Sequence, residues 1–229
     1  MSRLQACFAR LQSEDRKALI PYIMTGDPHP EVTVPLMHAM VKAGANIIEL
    51  GAPFSDPMAD GPVIQAAAER ALEFHITMDD VFKAVKQFRR LDDVTPIVVM
   101  GYLNLIEVAG YGAFARLASE AGIDAIITVD MPPEEAHDYI SALEGEGLDP
   151  VFLIAPTSTN ERIGKIGAVA SGFVYYVSLK GVTGAANLDV DDVRQKVETI
   201  RQRIDLPIGV GFGISDAQTA ARVSACSDA

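Results

Sequence analysis

Short, almost continuously apolar runs alternate with amphipathic stretches along the whole chain, and this alternation restricts the fold more than any other feature. The runs fall at residues 19–24, 46–50, 96–100, 124–128, 150–154, 173–177 and 206–210. Strands with one wet face alternate apolar and polar residues. These do not, so they read as parallel strands covered on both faces. Between them, residues 31–43, 111–121, 133–146 and 190–204 show helical spacing, as with Val34, Leu36, Met37, Met40 and Val41. Pro133 followed by Glu134 and Glu135 reads as a helix start, with acids near the positive end of the dipole. Strand–helix–strand connections are right-handed, so one parallel sheet with helices outside it is expected. The expected fold is therefore α/β, a (β/α)8 TIM barrel in a single domain over residues 1–229 that stops after the seventh βα unit. After a helix at 215–223 the chain runs out in Ser-Ala-Cys-Ser-Asp-Ala. Without an eighth strand, the first and seventh strands are expected to keep exposed edges unless something caps them.

The composition narrows what such a fold can serve. Nearly half of the 229 residues are hydrophobic, enough to exclude disorder. The longest uncharged run, 166–179, is shorter than the ~20 residues that a membrane-spanning helix needs, and no signal peptide is legible. A formal net charge of −12 repels phosphate backbones and anionic lipid, so neither nucleic acid nor a membrane surface is an expected partner. An anionic substrate would need a local arrangement working against that field. Cys7 and Cys226 stand at opposite ends of the chain, and no Cys-x-x-Cys or His-x-x-x-His occurs. A reducing cytoplasm, with no disulfide framework and no metal site, is the expectation.

Parallel α/β folds place their chemistry beyond the carboxyl ends of the strands. Glu49 lies there, at the top of an otherwise apolar second strand. It is either a salt-bridged structural acid or a carboxyl whose burial raises its pKa and suits it to general acid–base work. The rigid loop that follows, residues 52–62, carries three prolines and two aspartates. Its Asp60 reads either as the N-cap of a helix opening at Pro62 or as a second carboxylate facing Glu49. Glycine clusters at 181–185 and 211–215 follow the sixth and seventh strands. Backbone amides in two such loops can hold a phosphate without Lys or Arg, although Ser215 and Asp216 can equally cap a helix. Tyr22, Tyr102, Tyr175 and Phe212 fall near strand ends and together suggest a pocket for something flat and apolar.

These residues carry a resemblance. Residues 48–65, Ile-Glu-Leu-Gly-Ala-Pro-Phe-Ser-Asp-Pro-Met-Ala-Asp-Gly-Pro-Val-Ile-Gln, resemble the signature of the tryptophan synthase α chain family. So do Pro-Tyr-Ile-Met-Thr-Gly-Asp-Pro at 21–28, Gly-Tyr-Leu-Asn at 101–104, and the segments 178–184 and 211–215. The resemblance implies a carbon–carbon lyase of tryptophan biosynthesis, which splits indole-3-glycerol phosphate by retro-aldol cleavage into indole and glyceraldehyde 3-phosphate. It implies Glu49 and Asp60 as catalytic, with Tyr22, Ile64, Tyr102, Tyr175 and Phe212 around the indole. By the same resemblance Thr183 belongs to a lid that closes over Asp60, and Gly184, Gly211 and Gly213 lie on the phosphate side.

The implied partner is a tryptophan synthase β chain in an α2β2 heterotetramer. Nothing here resembles a pyridoxal lysine site, so pyridoxal phosphate is expected only in that partner. The loop 53–60 and the segment around 130–133 would meet it, or are simply solvated acidic surface. The family's eighth strand carries a Gly-Ser of the phosphate site that this sequence does not reach, so weak binding of the substrate is expected. A second reading is a non-catalytic partner that only binds or activates the β chain. A third, another phosphate-binding barrel enzyme, wants a Lys or Cys base at a strand end, and none is placed so.

Overall fold

The computed structural model describes residues 2–178, 189–214 and 216–229. In chain order the elements are α1 (Arg3–Ser13), β1 (Tyr22–Met24), a 3-10 turn (Pro30–Val32), α2 (Thr33–Lys42), β2 (Ile48–Gly51), α3 (Pro62–Glu73) and α4 (Met78–Arg89). There follow β3 (Ile97–Gly101), α5 (Leu103–Glu107), α6 (Tyr111–Ala121), β4 (Ala125–Thr128), α7 (His137–Gly145), β5 (Asp149–Val151) and β6 (Leu153–Ile154). The remainder is α8 (Asn160–Gly167), β7 (Val174–Val177), α9 (Val190–Arg201), β8 (Ile208–Gly211) and α10 (Ala217–Ser224).

Among the described residues all pairings are parallel, in the order β1-β2-β3-β4-β5 and β6-β7-β8. β5 and β6 are one strand divided at Phe152, whose carbonyl accepts the Tyr175 N–H at 3.0 Å, so the strand changes partner there and joins the two sheets. Each of the seven expected strands is thus observed in its place. Their unbroken apolar character has the expected cause. In β3, Ile97 and Val99 pack outward beneath the helices, while Val98 and Met100 join Ala125, Ile127, Val151 and Phe173 in a second core inside the barrel.

Two features differ from the sequence expectation. At the base, the Asp228 and Ala229 N–H groups both donate to the Ile208 carbonyl, at 2.9 and 3.2 Å. The Ala229 carbonyl accepts from Val210 at 2.9 Å, and the Asp228 carbonyl from Ala18 at 2.9 Å. Ala229 thereby brackets Gly209 as a parallel ladder partner does. The lower edges of β8 and of the approach to β1 are joined by these two residues rather than left bare. The second difference is α7, which opens at His137 and not at Pro133. Pro132 and Pro133 instead form a turn closed by the Glu135 N–H on the Pro132 carbonyl at 3.1 Å. A proline at 133 disfavours helical backbone at the residue before it, and the turn uses that bias.

The sequence reading assigned nothing to residues 3–13, yet α1 forms there. Ser2 and Gln5 make a reciprocal capping box, and Leu4, Cys7, Phe8 and Leu11 recur on one face. That face fills the bottom of the barrel interior. Leu4 is wholly buried, so Leu4→Ala is expected to cost about 2–5 kcal/mol of unfolding free energy, measured by urea denaturation. A loss below about 0.5 kcal/mol would show that α1 is peripheral to the core.

Candidate active site

Glu49 belongs to β2, in register with Tyr22 of β1 and Val98 of β3, one step above the inward-facing Ile47. It is 4% exposed, and burial alone pushes its carboxyl up to about 8, with no neighbouring cation to offset the cost. The salt-bridged alternative therefore does not hold among the described residues. Near neutrality this carboxyl carries its proton.

The phenols beside it are raised as well, first by their own burial. The Tyr22 hydroxyl is raised far above its ordinary pKa by burial, and further by Glu49 and Asp60. Tyr175 is raised by burial and then by Glu49 and Tyr22. Both rings lie across glycines: a Cβ on Gly51 would overlap the Tyr22 hydroxyl, and one on Gly211 the Tyr175 hydroxyl. Gly211 thus has a steric reason to be glycine, whatever else its backbone binds.

A cavity of about 600 Å³ runs along the flank between β1 and β8, lined by Tyr22, Glu49, Ile64, Tyr175, Gly211 and Phe212 and, further along, by Lys17, Leu19, Val223, Ser224 and Ala229. Phe173 and Ile214 also contribute to its wall, and neither was singled out from the sequence. Phe173 was legible only as the first residue of an apolar strand. Phe212 and Gly213 both have positive φ, 73° and 72°, so the loop leaving β8 makes a left-handed excursion. For Phe212, which carries a Cβ, this conformation is strained. Ser178 holds the loop, its hydroxyl 2.6 Å from the Gly211 carbonyl and 2.9 Å from that of Phe212. Beyond the loop, Asp216 caps α10 by accepting the Thr219 N–H at 2.8 Å. Thr183, Gly184 and Ser215 lie outside the described residues.

Asp60 and Tyr102 stand further along, both near enough to the Tyr22 phenol of the cavity wall to raise its pKa. Asp60 is 5% exposed on the loop between β2 and α3, and its Oδ1 is buried without a hydrogen-bond partner. It does not cap α3, because Gly61 is the N-cap residue. Burial raises its pKa, and the nearby Tyr102 hydroxyl pulls it part of the way back. Tyr102 stacks on Phe54 with ring centroids 5.2 Å apart, its hydroxyl accepts the Ala59 N–H at 3.0 Å, and burial pushes that phenol up to about 12. Two acids with raised pKa values are thus present, Glu49 on the cavity wall and Asp60 on the loop that follows β2.

A profile of the family described as the tryptophan synthase alpha chain matches residues 8–229. The chain belongs to that family. It is 62% identical to the tryptophan synthase alpha chain of Thioalkalivibrio sulfidiphilus over 229 residues, all of this chain and 86% of that one. Among solved structures, tryptophan synthase subunit alpha of Legionella pneumophila superposes with a TM-score of 0.92 at 45% identity, covering 100% of this chain and 84% of that one. A chain from the tryptophan synthase complex of Pyrococcus furiosus gives a TM-score of 0.83 at 34% identity, over 92% of this chain and 84% of that one. The fold is that of the tryptophan synthase alpha chain, a (β/α)8 barrel. The reaction is the lyase step of tryptophan biosynthesis, in which indole-3-glycerol phosphate is cleaved to indole and glyceraldehyde 3-phosphate. Among the described residues, no helix is long and apolar enough to cross a membrane.

Proposed function

We propose that Glu49 and Asp60 divide the chemistry of this cleavage between them. Protonated Glu49 delivers its proton to C3 of the indole, and the carboxylate left behind takes the proton of the adjacent side-chain hydroxyl. The C–C bond then breaks, its electron pair returning to the indole ring while the hydroxyl carbon becomes the aldehyde. Asp60, as carboxylate, stabilises the indole N–H while positive charge resides on the ring. The observation that carries this reading is the burial of Glu49, 4% exposed on the cavity wall with no cation beside it among the described residues, which raises its carboxyl to about 8 and lets it hold a proton near neutrality.

Tyr22, Ile64, Tyr175 and Phe212 would enclose the indole. Tyr102 would support the site from behind Asp60. Thr183 would act in the lid, and Gly184, Gly211 and Gly213 would offer backbone to the phosphate. The reaction needs no cofactor on this chain, and pyridoxal phosphate would belong to a β chain that receives the indole. The match to a chain of the Pyrococcus furiosus tryptophan synthase complex supports such a partner, in an α2β2 heterotetramer. Two free cysteines suit a reducing cytoplasm as its compartment. The test is indole release from indole-3-glycerol phosphate, with the chain alone and with a β chain added. Asp60→Asn is expected to lower turnover about 10²–10⁴-fold in both. Turnover unchanged in Asp60→Asn would remove Asp60 from the chemistry, and no indole in either tube with the unaltered chain would favour the non-catalytic reading.

A further inference from the structure

The loop that carries Asp60 is tied down on both sides of that residue. In front, the Ala59 N–H donates to the Tyr102 hydroxyl at 3.0 Å. Behind, the Gln65 side-chain amide donates to the Asp60 carbonyl at 2.8 Å. Gln65 sits in the first turn of α3, where a polar side chain ordinarily accepts from the unpaired N–H groups of the helix start. Gln65 does the reverse. It donates, and to a carbonyl that lies outside the helix, so this bond does nothing for the helix end. Its effect falls on the Asp60 peptide, whose orientation decides where the carboxyl goes.

From this clamp we infer that Gln65 is a positioning residue for the reaction: with Tyr102, it fixes the Asp60 peptide so that the carboxyl is held in its buried place. The inference rests on the reading of Asp60 as a catalytic group. The Asp60 carboxyl is buried with one oxygen unpartnered, an arrangement that costs free energy and persists only if the backbone is held. Without the Gln65 bond the peptide can turn and the carboxyl can reach water. The titratable groups facing Asp60 are the phenols of Tyr22 and Tyr102.

Gln65→Met keeps the side-chain length and the helix propensity but removes the donor. The full chain is assayed with a β chain for indole release, and the Asp60 carboxyl is titrated by ¹³C NMR in the full chain. The expected result is a kcat lower by about 10- to 100-fold with KM within about threefold, and an Asp60 midpoint that falls toward the ordinary aspartate range. An unchanged Asp60 midpoint overturns the inference, as does a change in KM alone. Asp60→Asn serves as the control. If it turns over like the unaltered chain, the role of Asp60 fails, while the titration still judges the clamp.

Discussion

Glu49→Gln is expected to abolish cleavage and, at neutral pH, to stabilise the fold. The amide is close to the protonated acid in shape, so the cavity wall is kept while the transferable proton is lost, and turnover should fall by about 10²–10⁴-fold. The stability effect follows from linkage. The carboxyl titrates near 8 in the folded chain, above the about 4.3 of an unfolded glutamate. Between those values the folded state binds more protons than the unfolded state, and ionisation of the unfolded chain pulls the equilibrium toward unfolding. Stability contributed by the protonated form is therefore fully present below about pH 4 and is lost as pH rises toward about 8. Glutamine has no such dependence. The variant should match the unaltered chain near pH 4 and exceed it by up to about 4–5 kcal/mol near pH 8, read from denaturant midpoints across that range. A variant equally stable or less stable at pH 8 would show that Glu49 is not held at a raised pKa, and undiminished turnover would take it out of the mechanism.

Gly211→Ala is the second substitution with a large expected effect. Its new methyl would occupy the place of the Tyr175 hydroxyl, so either β8 or the phenol must move. Overpacking of this kind costs about 1–3 kcal/mol. Because Tyr175 and Phe212 share the cavity wall, a shift of about 1 Å there is expected to lower kcat/KM about 10²-fold. The cause is checked by a double-mutant cycle. In a Tyr175→Leu background, which removes the phenol, Gly211→Ala should cost much less than it does alone. Additive costs would mean that the backbone at 211, rather than the ring above it, is what the substitution disturbs.

Tyr175 also illustrates what the sequence could and could not disclose. The seven strands were legible because a strand buried on both faces has no polar positions to hide it. Glu49 was legible because a carboxylate in such a strand stands out, and its fold position gave it a solvent-shielded place above Ile47. Gly211 was noticed as half of a Gly-x-Gly, but its steric partner lies on a neighbouring strand, and no local pattern reports a contact across a sheet. Asp60 could not be separated from a helix cap by spacing alone, because Gly61, which caps with its backbone, leaves no side-chain signal. α1 was overlooked despite the spacing of Leu4, Cys7, Phe8 and Leu11, because a helix before the first strand has no place in a strand–helix repeat. Asp228 and Ala229 are too few to show a period, so their pairing along β8 could only be seen in three dimensions. Gln65 closed the signature motif, yet nothing in its type distinguishes an amide that caps a helix from one that grips the loop before it.

The division of the barrel wall at Phe152 has a mechanical consequence. Glu49 and Tyr22 ride on the five-stranded sheet, and Tyr175 and Gly211 on the three-stranded one. The acid and the Tyr175 ring therefore stand on sheet segments that meet through the continuous strand β5–β6 at Phe152 and, at the foot of the other flank, through Asp228 and Ala229. Any change in the spacing of these walls has to pass through those hydrogen bonds. A substitution at Phe152, which does not itself line the cavity, is for that reason expected to be felt at its wall.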